Sequence, residues 1–169
     1  MTDNAMLMPR LDARSGWVRL RTLILLRWLA IAGQLATLLV AVWYLRLNLN
    51  LGLCLMAIGA SVVANLLATF VYPENKRLSD TETMLTLLFD VSQLALLLYL
   101  TGGLNNPFAL LILAPVTISA TALRLRSILF LGMTAIVLIT VIGFFHLPLV
   151  TQDGFVLRQP ELFVFGFWL

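Results

Sequence analysis

Long apolar runs separated by short polar joints set the character of this chain. Runs of spanning length lie at about Leu23–Leu45, Leu49–Val71, Met84–Thr101, Pro107–Leu123 and Ile128–Val150, and another begins near Leu162 and stops at Leu169. A hydrocarbon layer about 30 Å thick is crossed by about 20 helical residues, so each complete run predicts one crossing. In lipid every backbone amide must be satisfied internally, which helices do within a single segment. Barrel strands would be about ten residues long and would alternate polar with apolar, which these runs do not. The pattern predicts an all-α membrane protein, a bundle of about six transmembrane helices with the sixth truncated. Residues 1–22 read as an N-terminal segment outside the membrane and 23–169 as the transmembrane domain. A half-span cannot cross a bilayer, so the natural chain is expected to continue past Leu169.

Composition agrees with the pattern. Apolar residues make up 61% of the chain and charged residues 11%, where soluble domains carry about 25% charged. A water-soluble protein of this size has too much surface for so few charges to cover. The basic residues are scattered between apolar runs and form no single patch, which argues against direct nucleic acid binding. The start lacks the short apolar core and small-residue cleavage site of a signal peptide. Cys54 lies inside an apolar run, where a thiol acts as a small hydrophobe. Ala60, Ala64 and Ala68, beside Ala57, Ser61 and Asn65, give the second run the small-residue spacing of close helix packing.

Charge decides orientation. Arg10, Arg14, Arg19 and Arg21 precede the first run, Lys76 and Arg77 follow the second, and Arg124 and Arg126 follow the fourth. The other side has Arg46 and Arg158, with Arg27 left aside inside the first run. Basic residues concentrate on the cytoplasmic side, so the N-terminus is expected in the cytoplasm. Whatever follows a sixth crossing would also emerge there.

The joint between the third and fourth runs is uncharged and rich in turn formers: Thr101-Gly102-Gly103-Leu104-Asn105-Asn106-Pro107-Phe108. Turn chemistry accounts for much of it. A glycine can end a helix in the left-handed conformation, while Asn106 suits an N-cap and Pro107 a first helical residue. It does not by itself require Phe108, a second glycine or a second asparagine. A ligand site would use these: unpaired N–H groups at a helix start, amides that donate and accept, and a flat apolar ring. A quinone, with two carbonyl acceptors and an isoprenoid tail, suits such a place at the membrane surface.

The stretch Gly102-Gly103-Leu104-Asn105-Asn106-Pro107-Phe108 resembles the GGxxNPF signature of the RegB/PrrB/ActS family of redox-responsive sensor histidine kinases. All five specified positions match, in the corresponding loop of a six-span protein. The resemblance implies a sensor domain of a two-component system in the bacterial inner membrane, binding ubiquinone at Gly102, Gly103, Asn105, Asn106, Pro107 and Phe108. It implies a downstream kinase that uses ATP to phosphorylate its own histidine, a homodimer, and a cognate response regulator that receives the phosphate. Oxidised quinone would lower kinase activity. The phosphoacceptor histidine, the ATP-binding domain and a redox-active cytoplasmic cysteine would all lie beyond this chain, which carries no catalytic residue of its own. Cys54 cannot stand in for that cysteine.

Two further residues draw notice. Asp90 is the acidic residue well inside a run, sharing a helical face with Thr86 and Gln93. An intramembrane carboxylate is costly and should face the bundle interior; structural hydrogen bonding and a relay of protons or signal are both open. It lies about 18 Å along the helix from Gly102, too far to touch a ligand at the loop. His146 reads as an interfacial residue, with the alternative that it reaches the loop site and donates to a quinone carbonyl. A small transporter or channel fragment is the alternative function, pointed to by Asp90 and the mid-run Pro115 but lacking an inverted repeat or paired broken helices. A quinone-reacting oxidoreductase subunit would need haem or metal ligands, and one histidine and one cysteine offer almost none.

Overall fold

The computed structural model describes residues 20–72 and 78–156, together with 160 and 166. The expectations for residues 1–19, Lys76, Arg77 and Arg158 lie outside the described residues, as does the sixth run apart from Gly166. The described residues are mainly helical. α1 covers Leu20–Leu39 and continues as a π-helical turn, Val40–Tyr44; α2 covers Leu51–Val71, α3 Asp80–Leu100, α4 Leu113–Ala122 and α5 Leu125–Phe144. Two 3₁₀ segments, Gly103–Asn105 and Pro107–Ile112, join α3 to α4.

Four of the described helices, with α1 counted through Tyr44, are long and apolar enough to cross a membrane, and Phe108–Ala122 forms a shorter apolar helix. The shorter one still has reach. A 3₁₀ residue rises about 2.0 Å against about 1.5 Å in an α-helix, so Pro107–Ala122 extends over about 27 Å. The expected fourth run is therefore one apolar helical segment of nearly membrane thickness, drawn out thin at its first end.

Chain direction alternates, so the end of α1, the start of α2, the end of α3 and the end of α5 meet at one end of the bundle, called here the loop end. α3 sits centrally, packed against α2, α4 and α5, while α1 packs on α2. The core is formed around Leu87, Val91, Ile112 and Leu131, each at most 2% exposed. The outside is apolar too. Leu29, Trp43, Tyr44, Phe70 and Phe144 are all more than 70% exposed, an arrangement that suits a lipid surround. Trp43, Tyr44 and Phe144 cluster at the loop end and Phe70 and Tyr72 at the other, where aromatic side chains mark membrane–water interfaces.

α3 begins earlier than the apolar run suggested, at Asp80 instead of Met84. Ser79 caps it, accepting from the Glu82 amide at 3.3 Å, and the Glu82 carboxylate accepts from the Ser79 amide at 2.8 Å. This reciprocal box satisfies amides that a helix start leaves open. The Asp80 carboxylate reaches across to the α4–α5 joint, accepting from the Arg124 amide at 2.7 Å and from the Ser127 hydroxyl.

Inside the bundle, Arg27 of α1 pairs with Asp90 of α3, Nε to Oδ1 at 2.8 Å. Its Cζ lies 5.5 Å from the Phe89 ring centre. A carboxylate in the interior is thereby neutralised, as its cost there demands. One level nearer the loop end, Gln34 of α1 and Gln93 of α3 exchange amide hydrogen bonds at 3.2 and 3.1 Å.

Candidate ligand-binding site

The joint after α3 is held by four local devices. Thr101 ends the helix, its hydroxyl donating to the Leu97 carbonyl at 2.8 Å. Gly102 and Gly103 follow with φ of +99° and +61°, the left-handed region that residues with a Cβ avoid. Asn106 caps the next helix, its Oδ1 accepting from the Phe108 amide at 2.9 Å, while its Nδ2 donates back to the Thr101 hydroxyl at 2.8 Å. Asn105 Nδ2 meets His146 Nε2 at 3.1 Å.

The second glycine and the second asparagine are thus required by structure after all. A Cβ on Gly103 would lie 2.6 Å from His146 Cγ, and one on Gly102 would lie 2.9 Å from Leu149 Cβ. The chain leaving α5 lies directly on the glycine pair. The His146 ring is fully engaged: Nδ1 lies 3.0 Å from the Ile142 carbonyl, which can only accept. In the neutral ring Nδ1 therefore carries the hydrogen, and Nε2 accepts from the Asn105 amide. His146 does not line the cavity beside the loop. The alternative of a histidine donating to a ligand carbonyl has no free ring nitrogen to work with.

That cavity has a volume of about 230 Å³ and opens between α1, α3 and the loop. Asn105, Asn106 and Phe108 form one wall, with Thr101, Leu97 and Leu98 of α3 beside them. α1 supplies Gln34, Thr37, Leu38 and Ala41 opposite, and Leu47, Leu49 and Leu149 close the loop end. Leu45 and Leu111, also on the lining, are 40% and 44% exposed, and the cavity is not sealed. No charged residue lines it. Drug-sized ligands take about 300–1,000 Å³; a cavity of this size suits a single ring whose tail stays outside.

Of the loop residues singled out by sequence, the structure places Asn105, Asn106 and Phe108 on the cavity, while Gly102 and Gly103 shape the turn behind it. Pro107 opens the 3₁₀ helix. Asp90 belongs to a deeper level and does not line this cavity. Sequence reasoning missed the α1 wall. Gln34 lies seven residues after Arg27, on the same helical face, and both pair with α3 residues already picked out. Two polar side chains at helical spacing inside an apolar run were a readable signal. The Leu47–Leu149 closure was not, because it depends on pairing of the segments after α1 and α5, where Asn48 N–H donates to Val150 O at 2.8 Å and Gln152 N–H to Arg46 O at 2.8 Å.

Comparison with known proteins agrees with this architecture. Two sequences from Cereibacter sphaeroides, each described as sensor histidine kinase RegB, are 60% and 61% identical over 158 residues, 94% of this chain. The chain spans about a third of those relatives' length, 34% in each case. No solved structure matches. The similarity bears out the resemblance read from the loop signature, and a multi-pass segment of the bacterial inner membrane agrees with both. The PilS-like transmembrane domain matches residues 11–156, nearly the whole bundle, and the chain belongs to that family.

Proposed function

We propose that this chain is the membrane sensor region of a two-component sensor histidine kinase, and that its loop-end cavity binds ubiquinone. The observation that carries this reading is the cavity itself: uncharged, sized for one ring, unsealed, and walled by Asn105, Asn106 and Phe108. The basic residues put the loop end on the periplasmic face and the N-terminus in the cytoplasm. The attached kinase would use ATP to phosphorylate its own histidine within a homodimer and pass the phosphate to a response regulator. Quinone can bias such a kinase only by binding two packings of the bundle unequally. The joint between α3 and α4 is placed to differ between them, since it forms a cavity wall and both helices run from it through the membrane. The transporter alternative loses its main support, because the Asp90 carboxylate is neutralised by Arg27.

The test is titration of the protein in lipid nanodiscs with a short-tailed ubiquinone, followed by tryptophan quenching. Asn106→Ala removes the cap that shapes the wall and should weaken binding about fivefold, the worth of one hydrogen bond. Phe108→Ala should cost about 0.5–1.5 kcal/mol from lost ring contact. Unchanged affinity in both variants removes the loop from the site.

A further inference from the structure

Gln34 lines two cavities, the loop-end one and a second of about 310 Å³ between α1, α3 and α4. It is 6% exposed and is bound to Gln93 through both halves of its amide. Gln93 in turn donates to the Ala57 carbonyl of α2 at 3.3 Å, so the pair is fixed from the far side. A primary amide has two N–H groups and two acceptor lone pairs. The reciprocal pair uses one of each, leaving Gln34 a second N–H and a second lone pair in a wall that is otherwise mostly leucine.

The loop asparagines are tied to the loop's own groups and to His146, whereas the Gln34 amide is held only by another side chain. Asn106 spends Oδ1 on the Phe108 amide and Nδ2 on Thr101, and Asn105 spends Nδ2 on His146. On α1, Thr37 lies three residues beyond Gln34 and also lines the cavity.

We propose that Gln34 is the hydrogen-bonding residue that distinguishes oxidised from reduced ring in the loop-end cavity, and that Gln93 is its positioning residue. This rests on the quinone reading above. A quinone oxygen only accepts, whereas a quinol hydroxyl also donates. An amide clamped by Gln93 cannot turn over, so it presents one fixed edge and treats the two oxygens unequally. Released from Gln93, the same amide can flip to suit either ligand and discriminates neither. Preorganisation of this kind converts a flexible side chain into a selective one.

The experiment uses the protein in phosphatidylcholine nanodiscs, with short-tailed ubiquinone and its quinol as separate probes. Gln93→Leu and the double variant Gln34→Leu/Gln93→Leu both lack the α1–α3 amide pair and differ only in the Gln34 amide. A merely structural role makes them bind alike. The proposal expects Gln93→Leu to bind both probes with affinities converged to within about twofold, and the double variant to bind quinone about fivefold more weakly than Gln93→Leu. Thermal unfolding of both checks that they fold, and the double variant, with no unpaired amide left inside, is the safer of the two. Equal affinities in the two variants overturn the proposal, as does a wild-type ratio of quinone to quinol affinity in Gln93→Leu. If Asn106→Ala and Phe108→Ala weaken binding while these variants do not, the site stands and Gln34 is removed from it. If the unaltered protein takes up neither probe, the quinone reading fails and this inference with it.

Discussion

Gly103 and His146 meet so closely that a Cβ on the glycine would lie 2.6 Å from the ring's Cγ and 2.9 Å from its Nδ1. The histidine is itself fixed from both sides, by the Ile142 carbonyl and the Asn105 amide. The end of α5 and the joint after α3 therefore form one locked corner, and the locked corner holds the asparagine wall of the cavity. The glycine pair and the asparagine pair have a shared purpose, the close seating of the α5 terminus.

Gly103→Ala should accordingly be among the costliest single-methyl changes in the chain. A left-handed backbone costs a residue with a Cβ about 1–2 kcal/mol, and forcing the ring aside adds about 1–3 kcal/mol of overpacking. Gly132→Ala in α5 is the matched control, since a Cβ there meets nothing within 4 Å. Thermal unfolding in detergent should show a large drop for the first and little or no loss for the second. Equal melting temperatures would mean that the corner is not tightly seated.

Much of the bundle was legible because lipid imposes a strict rule on length and polarity. The apolar runs located all five described helices, and Asn106 and Pro107 marked the start of the next helical segment as turn chemistry requires. What escaped has a common cause: partners far apart in sequence. Asp90 was conspicuous alone, but its pairing with Arg27 joins positions 63 residues apart, and periodicity says nothing about which helices touch. Gln34 was hidden for the same reason. The start of α3 was different, since the Ser79–Glu82 box is a readable local signal, overlooked because Asp80 and Glu82 interrupt the apolar pattern.

The Arg27–Asp90 pair predicts a particular double-mutant outcome. Removing one partner leaves an unpaired and costly charge inside the bundle. Arg27→Leu and Asp90→Leu should each destabilise by about 3–5 kcal/mol. The double variant leaves no charge behind and should recover most of that loss. Unfolding by denaturing detergent measures all four species. Additive losses would show that the two residues do not interact.

At the end remote from the loop, Asp80 does for α5 what α5's own sequence does not. Arg124 stands at the N-cap of α5 without a side-chain cap bond of its own, and its amide donates to the Asp80 carboxylate at 2.7 Å. Asp80→Ala should release that amide and the Ser127 hydroxyl together, costing about 0.5–2 kcal/mol, the worth of a lost helix cap. Hydrogen exchange gives the local readout: amides at the start of α5 should exchange faster, while those near Leu131 keep their protection. Unaltered exchange at Arg124 would show that the bridge from α3 contributes nothing to this helix start.

Cys54 supplies the last prediction, because it is fully buried among Ile31, Leu38, Ile58 and Leu100 where α1, α2 and α3 meet. Its surroundings are apolar, and it can act there only through its volume. A maleimide should therefore label the folded protein only as fast as the bundle opens, and labelling should accelerate in step with added denaturing detergent. Cys54→Ala, which removes one heavy atom, should cost about 1 kcal/mol. Cys54→Leu must push α1 from α2 and should cost about 1–3 kcal/mol. The Gln34–Gln93 pair sits beside this contact and reaches Ala57, one turn along α2 from Cys54. Cys54→Leu should therefore also disturb the quinone-to-quinol affinity ratio, which Cys54→Ala leaves alone. Rapid labelling under native conditions would place the thiol at an opening of the bundle and undo both expectations.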